Sequence, residues 1–260
     1  MTSIQAHFLP QLTTPDELAG QTVVVIDVLR ATSVITTALA NGAARVIPCL
    51  EVDEARQIAQ GLRTGEALTG GERHGLPIEG FDLGNSPADY TAERVGGRTL
   101  VFTTTNGTRA MRQCHQAGRV LIGSFLNLRA IVTALTETES VHLLCAGTKG
   151  EITREDVLLA GAITWGLTLP DNPAMAGEWY RCQLNDQARL ARDAWQVARP
   201  PAELPFVEAE PIWLWKALTA TQGGRNLKGI GLERDITTCA ALDRYDVAPK
   251  LDVTTWQIEA

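Results

Sequence analysis

Polar and charged residues that could do chemistry follow the aliphatic run "TVVVID", which ends at Asp27. A carboxylate at the end of a strand can hold Mg²⁺, which prefers one or two carboxylates together with water and phosphate oxygens. Arg30 comes next and offers a planar, bidentate donor to a phosphate or a sulfonate. Asp27 and Thr32 could equally be helix-capping residues and Arg30 a partner of a nearby acid, so this segment alone leaves both interpretations open.

The segment "TTTNGTR" has the composition of an anion site. It places hydroxyl, amide, backbone N–H and guanidinium donors between an expected strand and an expected helix. A polar turn with an Asn-Gly bend is the structural alternative. The candidate substrate-binding residues in this segment are Thr104, Thr105, Asn106, Gly107, Thr108 and Arg109.

The stretch "GGERHGLPIEGFDLGNSP", residues 70–87, carries five glycines and two prolines. These residues interrupt helices and strands, so the stretch predicts a long loop and excludes a long helix or a central strand. Such loops inside domains are usually functional or disordered. The charged residues and the histidine of this loop are Glu72, Arg73, His74, Glu79 and Asp82.

A fourth polar segment, "AGTKGE", resembles part of a phosphate loop but lacks the order of a nucleotide-binding P-loop. We therefore exclude nucleoside triphosphate binding. Asp156 follows shortly after, three residues past Thr153, and could ligate a metal or act only as a capping partner. No Ser-His-Asp or Cys-His set stands out, so the inventory favours metal-assisted chemistry on a small phosphorylated molecule.

The elements that must position these residues are expected strands alternating with expected helices. This order predicts an α/β fold with a mainly parallel sheet covered on both faces. In that architecture ligands bind beyond the carboxyl ends of the strands. The loops expected to form the ligand site are therefore residues 27–32, 70–87, 103–109 and 147–156.

We expect residues 1–260 to form a single α/β domain. Residues 22–50 and 99–125 share the order strand, polar turn, helix, strand, which indicates either a weak internal duplication or the general likeness of such units. Residues 170–211 are expected to be a less ordered insertion, within which the run "YRCQLNDQARLARDAWQVA" predicts a helix.

Composition excludes several functional classes. The net charge is -7, the pI is about 5.2, and no dense cluster of Lys and Arg occurs, so neither nucleic acid nor an anionic membrane is an expected partner. No apolar run is long enough to span a bilayer, and the first residues do not resemble a signal peptide. The five cysteines are widely spaced, so we expect reduced side chains in a cytoplasmic protein.

Four segments together resemble the 2-phosphosulfolactate phosphatase family: "VVVIDVLRATSVITTAL", the 70–87 loop, "TTTNGTRA" and "AGTKGE…ED". The similarity continues into "GLERDITTCAALDRYDVAPKL" near the C-terminus. The resemblance implies a three-layer α/β fold and a Mg²⁺-dependent phosphomonoester hydrolase. The implied reaction removes phosphate from 2-phospho-3-sulfolactate to give 3-sulfolactate, a step associated with coenzyme M biosynthesis.

The resemblance also suggests roles for the candidate residues. Asp27 and Glu72 are the expected catalytic metal-holding pair, and Asp156, Glu79 and Asp82 are further candidates. Arg30, Arg73 and Arg109 would neutralise the substrate, and residues 104–108 would grip its anionic group. We further expect a homo-oligomer, in the simplest case a dimer. The alternative function is a non-catalytic binding protein for a small phosphorylated or sulfonated acid.

Overall fold

One mixed sheet of eleven strands forms the centre of the fold in the computed structural model, which describes residues 2–63, 65–168, 182–200 and 211–260. The strands are β1 Ser3–His7, β2 Thr22–Ile26, β3 Arg45–Cys49, β4 Ala67–Arg73, β5 Leu76–Pro77, β6 Thr99–Thr103, β7 Arg119–Gly123, β8 Ser140–Cys145, β9 Gln183–Leu184, β10 Lys250–Asp252 and β11 Gln257–Glu259. The helices are α1 Pro15–Leu18, α2 Ala31–Ala40, α3 Val52–Gly61, α4 Ala92–Val95, α5 Gly107–Gln113, α6 Leu128–Leu135, α7 Arg154–Thr168, α8 Asp186–Ala198, α9 Ile212–Thr219, α10 Gln222–Gly229 and α11 Glu233–Cys239.

The strand order is β5-β4-β6-β3-β11-β10-β7-β2-β8-β1-β9. On one side β7, β2, β8, β1 and β9 pair in parallel, and on the other side β3, β6 and β4 do the same. The β10–β11 hairpin joins the two groups and is antiparallel to both β7 and β3. The parallel strands of one group therefore run opposite to those of the other group. The sheet as a whole is mixed, one of the two forms expected, mainly parallel or mixed.

The two segments with similar sequence order are also arranged alike. Residues 22–50 form β2, α2 and β3, whereas residues 99–125 form β6, α5 and β7. The first strand of each segment pairs with the second strand of the other, β2 with β7 and β6 with β3. Two duplicated segments would be expected to exchange strands in this way. The duplication itself stays a prediction.

Strand β2 shows how the sheet separates two apolar layers. Val24 and Ile26 pack into one core cluster, and Val23 and Val25 pack into the other. Helices α6, α7, α8 and α9 contribute to the first cluster, and α2 and α5 contribute to the second. Alternate side chains of a strand point to opposite faces, so a strand covered on both faces must be apolar throughout. The predicted three-layer α/β/α fold is confirmed.

Helix α2 is buried along nearly its whole length although it is rich in hydroxyl residues. Thr36 Oγ1 donates to the carbonyl of Thr32 at 2.8 Å, and Thr37 Oγ1 donates to that of Ser33 at 2.8 Å. These bonds satisfy the hydroxyl groups within the helix itself, so their burial does not leave unpaired polar atoms. The helix can therefore be buried in the second apolar cluster although it is rich in hydroxyl groups. It begins just after the carboxyl end of β2.

The structure corrects the prediction that residues 70–87 form a loop throughout. Gly70 to Arg73 are the last residues of β4, and β5 follows as a two-residue strand. Gly71 has φ of 139°, and a β-carbon there would collide with the carbonyl group of Thr103 on β6. Glycine is therefore needed at this position to let β4 approach β6 closely.

Within the predicted insertion, the structure describes residues 182–200, which contain β9 and the 13-residue helix α8. Residues 170–181 and 201–210 of that prediction lie outside the described residues. The five cysteines are free thiols, as expected. No helix in the described ranges is long and apolar enough to cross a membrane.

Candidate active site

A cavity of about 460 Å³ lies where all four predicted loops meet helix α10. Each loop contributes lining residues from the carboxyl end of a strand, namely β2, β4, β6 or β8. We call Asp27 and Glu72 the acid pair, Thr104 to Asn106 the donor loop, and Lys149 with Arg225 the cation wall. All of these residues line the cavity.

Asp27 is buried at the start of the turn between β2 and α2. Its carboxylate accepts hydrogen bonds from the backbone N–H groups of Ala31 and Gly107. Burial, and next the negative charge of Glu72, raise the pKa of the Asp27 carboxyl to about 7. Asp27 is therefore placed where a neighbouring positive charge would stabilise its ionised form.

Glu72 ties the end of β4 to the donor loop. Its Oε1 accepts a hydrogen bond of 2.8 Å from the N–H of Thr105, and its Oε2 accepts one of 2.7 Å from the N–H of Gly75. The carboxylate is 6% exposed, so its charge is held in place at the cavity wall by two backbone donors. The Glu72 carboxylate thus faces the cavity together with Asp27.

Two further buried acids lie near the acid pair. Asp156 accepts hydrogen bonds from the N–H of Val28 at 2.9 Å and of Gly147 at 3.0 Å, and from Thr153 Oγ1 at 3.1 Å. It does not line the cavity. Burial, followed by the charges of Asp27 and Glu155, raises the pKa of Asp156 well above its usual value. In this arrangement Asp156 joins the ends of β2 and β8 to the start of α7.

Glu155 has one carboxylate oxygen, Oε2, that is buried without a hydrogen-bond partner. Burial also raises the pKa of its carboxyl group. Its negative charge in turn contributes to the raised pKa of Asp27. The sequence shows Glu155 beside Asp156 but gives no sign that it lies behind the acid pair.

The residues present fit a single Mg²⁺ ion held partly by the substrate. No group of three or more His, Cys, Asp and Glu side chains within the described ranges is placed to hold a metal ion. Asp27 and Glu72 nevertheless repel each other inside one cavity, and a divalent cation would relieve that repulsion. Mg²⁺ is typically bound by one or two carboxylates and completes its shell with water and phosphate oxygens.

Two residues that line the cavity have a buried polar atom without a hydrogen-bond partner. These atoms are Thr105 Oγ1 of the donor loop and Asn85 Oδ1. Thr104 Oγ1 accepts a bond from the N–H of Thr108. Buried polar groups are nearly always paired, so the two unpaired atoms can accept water or a polar ligand as a partner.

The remaining predicted residues of this segment, Gly107, Thr108 and Arg109, lie in three different environments. Gly107 contacts Asp27 closely, since a β-carbon at residue 107 would lie 2.8 Å from Asp27 Oδ2. Thr108 is buried in α5 and donates its hydroxyl to the carbonyl of Thr104, outside the cavity lining. Arg109 is exposed and lies at a different surface depression with Arg112 and His115.

The other two predicted arginines are held by protein groups. Arg30 lines the cavity, but its guanidinium forms a buried ion pair with Asp235 and donates to the carbonyl of Gly75 at 2.9 Å. Arg73 does not line the cavity and donates to the carbonyl of Leu50 at 2.8 Å and to Thr103 Oγ1 at 2.9 Å. Arg73 therefore supports the ends of β4 and β6 in this structure.

The structure also places two predicted metal candidates away from the acid pair. Glu79 is exposed, and Asp82 accepts bonds from the backbone N–H and hydroxyl of Thr69 at 2.8 Å each. Neither side chain lines the cavity. The Asp82 carboxylate instead fixes the loop that follows β5 against β4.

Sequence reasoning missed the contribution of helix α10. Arg225 and Asn226 line the cavity together with Lys149 of the loop after β8. The signal in the sequence is weak: a Thr-Gln-Gly-Gly-Arg segment in which Thr221 caps a helix start. Nothing in that segment indicates that it meets residues some 75 to 200 positions earlier, so only the tertiary structure identifies it.

Comparisons with known proteins identify the family of this chain. The sequence profile described as 2-phosphosulpholactate phosphatase matches residues 7–253. A relative from Symbiobacterium thermophilum is 40% identical over 235 residues, which cover 90% of this chain and 92% of that protein. One from Pseudothermotoga lettingae is 37% identical over 246 residues, 95% of this chain and 94% of that protein. Both are named "Probable 2-phosphosulfolactate phosphatase". The chain therefore belongs to the 2-phosphosulpholactate phosphatase family.

Proposed function

We propose that the protein is a Mg²⁺-dependent phosphatase that converts 2-phospho-3-sulfolactate and water into 3-sulfolactate and phosphate. The observation that carries this proposal is the joint placement of the acid pair and the donor loop in one cavity. A phosphoryl group needs donors for its oxygens and a positive charge between it and nearby carboxylates. The substrate is the one in the names of the two relatives, "Probable 2-phosphosulfolactate phosphatase".

The donor loop is suited to hold the phosphoryl oxygens. Thr105 Oγ1 is an unpaired hydroxyl, and Arg30 has guanidinium N–H groups left after its bonds to Asp235 and Gly75. The N–H of Thr105 is already used by Glu72, which fixes the loop in position. The phosphate would thus meet donors whose positions are set before it binds.

Asp27 and Glu72 are the residues that would hold Mg²⁺. When bound, the ion would neutralise charge on the phosphoryl oxygens and lower the pKa of a coordinated water. The acid pair orients this cation, and the donor loop orients the phosphoryl group. In the net reaction the ester O–P bond breaks, the oxygen of water ends on phosphate, and a proton ends on the hydroxyl of sulfolactate.

Phosphate release from a panel of 2-phospho acids, with Mg²⁺ or with EDTA, tests the proposal. We expect release from 2-phospho-3-sulfolactate only with Mg²⁺. Asp27→Asn should lower kcat by about 10³-fold or more with a melting temperature near that of wild type, because an electrostatic contact to the reacting group is lost. The matched control is Glu79→Gln, which removes an exposed carboxylate outside the cavity and should leave kcat unchanged.

Near-normal activity of Asp27→Asn would contradict its role in holding the cation. Thermal stabilisation by these acids without any phosphate release would favour the alternative, a binding protein for small phosphorylated or sulfonated acids. The buried acid pair argues against that alternative, since carboxylates repel an anion unless a cation lies between them. The homodimer expected from the sequence stays a prediction, which light scattering of the purified protein checks.

A further inference from the structure

Lys149 and Arg225 are a second set of charged residues that line the cavity, in addition to the acid pair. Neither side chain has a carboxylate within ion-pair distance in the described part of the chain, although both line a cavity that contains two carboxylates. Exposed cations commonly lack a partner, but two of them facing one half-enclosed cavity form a local positive field. This cation wall takes no part in the phosphate site described above.

Arg225 is held in a fixed orientation by its own helix. Its Nη1 donates to the carbonyl of Ala220 at 2.6 Å, and its Nη2 donates to Gln222 Oε1 at 2.9 Å. Both acceptors are neutral, and no carboxylate lies within ion-pair distance in the described ranges, although the Arg225 charge also interacts at longer range with the buried Glu155 carboxylate. A guanidinium has five N–H donors, which leaves three for a ligand. Arg225 can therefore bind an anion without breaking its existing bonds.

Lys149 is joined to the donor loop through its backbone. Its N–H donates to Asn106 Oδ1 at 3.2 Å, and its φ is 54°, a left-handed conformation that is uncommon for a residue other than glycine. The bond fixes the loop after β8 next to the loop after β6. The ammonium group, which carries three donors, is then free to bind a ligand near the donor loop.

The charge of Arg30, unlike those of Lys149 and Arg225, is neutralised by a close ion pair. Its charge is balanced by Asp235 in a pair where both side chains are 3% exposed, and Ser86 Oγ donates to the same carboxylate at 2.8 Å. A neutralised guanidinium still donates hydrogen bonds but adds little net positive charge. Among the described Lys and Arg residues that line this cavity, those without a carboxylate within ion-pair distance are thus the two of the cation wall.

We propose that Lys149 and Arg225 bind the sulfonate of the substrate and select sulfonated over unsulfonated phosphate esters; this inference rests on the proposed function. In 2-phospho-3-sulfolactate the carboxylate shares a carbon with the phosphate ester and must stay beside it. The sulfonate lies one carbon further and can reach a separate surface. Its three oxygens match several N–H donors of an ammonium and a guanidinium.

The test compares three substrates: 2-phospho-3-sulfolactate, 2-phospholactate, which lacks the sulfonate, and 2-sulfoethyl phosphate, which lacks the carboxylate. Arg225→Gln and Lys149→Gln should each lower kcat/KM for both sulfonated substrates by about tenfold or more, mainly through KM, since a charged hydrogen bond is lost. Neither variant should change kcat/KM for 2-phospholactate more than about twofold. Lys228→Gln is the control, because Lys228 is on the same helix and pairs with Glu233 at 3.5 Å outside the cavity.

Two results would overturn the inference. Equal losses for all three substrates would show a general role in phosphate binding or in structure. Losses for 2-phospholactate but not for 2-sulfoethyl phosphate would show that the cation wall binds the carboxylate. If the wild-type protein released phosphate from none of the three, the proposed function itself would fail. In that case the role of the cation wall is tested without turnover, by calorimetric measurement of 3-sulfolactate binding. Arg225→Gln should weaken this binding, and Lys228→Gln should not.

Discussion

Asp27 illustrates how a single carboxylate acquires its chemistry from its surroundings. Its backbone N–H donates to Thr32 Oγ1, and its carboxylate accepts bonds from residues of α2 and α5. Burial and the charges of Glu72 and Glu155 raise its pKa. The position of this side chain depends on the space that Gly107 leaves open. A β-carbon at residue 107 would lie 2.7 Å from Ala31 Cβ and 2.8 Å from Asp27 Oδ2.

The change Gly107→Ala should therefore displace Asp27 or α5. We expect a loss of stability of about 1–3 kcal/mol, which overpacking of a dry site typically costs. We expect kcat to fall by about 10²-fold, because a shift of about 1 Å in a catalytic group has that effect. Phosphate release and thermal unfolding measure the two results.

Gly61→Ala is the matched control for this prediction. Residue 61 is the last residue of α3, and a β-carbon there would meet nothing within 4 Å. Alanine should be neutral or slightly stabilising at such a site. Wild-type kcat and melting temperature in Gly107→Ala would show that the close approach to Asp27 has no functional importance.

At the scale of elements, the pairing of β1 with β8 contains a buried pair of histidines. His7 Nε2 and His142 Nδ1 are 3.0 Å apart, and the two rings stack. His142 is 3% exposed, so this bond satisfies one nitrogen of a buried ring. Burial, and next the charge of His7, lower the pKa of His142 to about 4, although Glu17 acts in the opposite direction. Burial likewise lowers the pKa of His7.

These shifts make the β1–β8 pairing sensitive to acid. An unfolded histidine has a pKa near 6.5, so between about pH 6.5 and pH 4 the unfolded state binds more protons than the folded state. The stability contribution is complete above that window and is lost as the pH falls through it. We expect the histidine pair to contribute a loss of about 1–3 kcal/mol from pH 7 to pH 4.5. The raised pKa values of Asp27, Glu155 and Asp156 act in the opposite direction, so the contribution is measured with urea as the difference between wild type and a variant that lacks His142.

His142→Asn should remove most of this acid-induced loss relative to wild type, since asparagine keeps a polar atom near the Nδ1 position but does not titrate. His115→Asn, at an exposed position after α5, serves as the control and should keep the wild-type slope. A slope in His142→Asn equal to that of wild type would assign the acid sensitivity to other groups.

At the scale of the whole molecule, the β10–β11 hairpin connects the two halves of the sheet. Leu251 and Ile258 are buried in the second core cluster, and Ile258 pairs with Val46 of β3. Trp256 Nε1 donates to the carbonyl of Pro48 at 2.8 Å. Asp27 belongs to one half and Glu72 to the other, so the acid pair exists only while the two halves are joined.

Ile258→Ala should therefore weaken the junction between the halves. We expect a loss of about 2–5 kcal/mol, the usual cost of a buried Ile-to-Ala change. In urea, phosphatase activity should be lost before the circular dichroism signal, whereas the two transitions should coincide in the wild type.

The control for the hairpin is Thr255→Ala, at an exposed position in the turn between β10 and β11. That variant should behave as wild type in both measurements. An unchanged urea midpoint with coincident transitions in Ile258→Ala would mean that the halves are held together by other contacts.

The sequence by itself determined much of this protein. Aliphatic runs followed by polar turns predicted the strands and the loops at their carboxyl ends, because strand periodicity and turn chemistry are local properties. All four predicted loops line one cavity, and Asp27, Glu72 and residues 104–106 face it. The three-layer α/β fold was predicted as well, since β2 is apolar on both of its faces.

Tertiary structure alone decided which charged residues share the site. Arg73 is next to Glu72 at the end of β4, and Arg109 follows the donor loop in α5. Both lie outside the cavity, because side-chain direction depends on register and packing. Arg225 reaches the cavity from a helix almost 200 residues after Asp27. The reversal of strand direction at the β10–β11 hairpin is also invisible in local patterns. Long-range contacts of this kind have no signature in spacing, since they arise only when separate apolar faces are buried together.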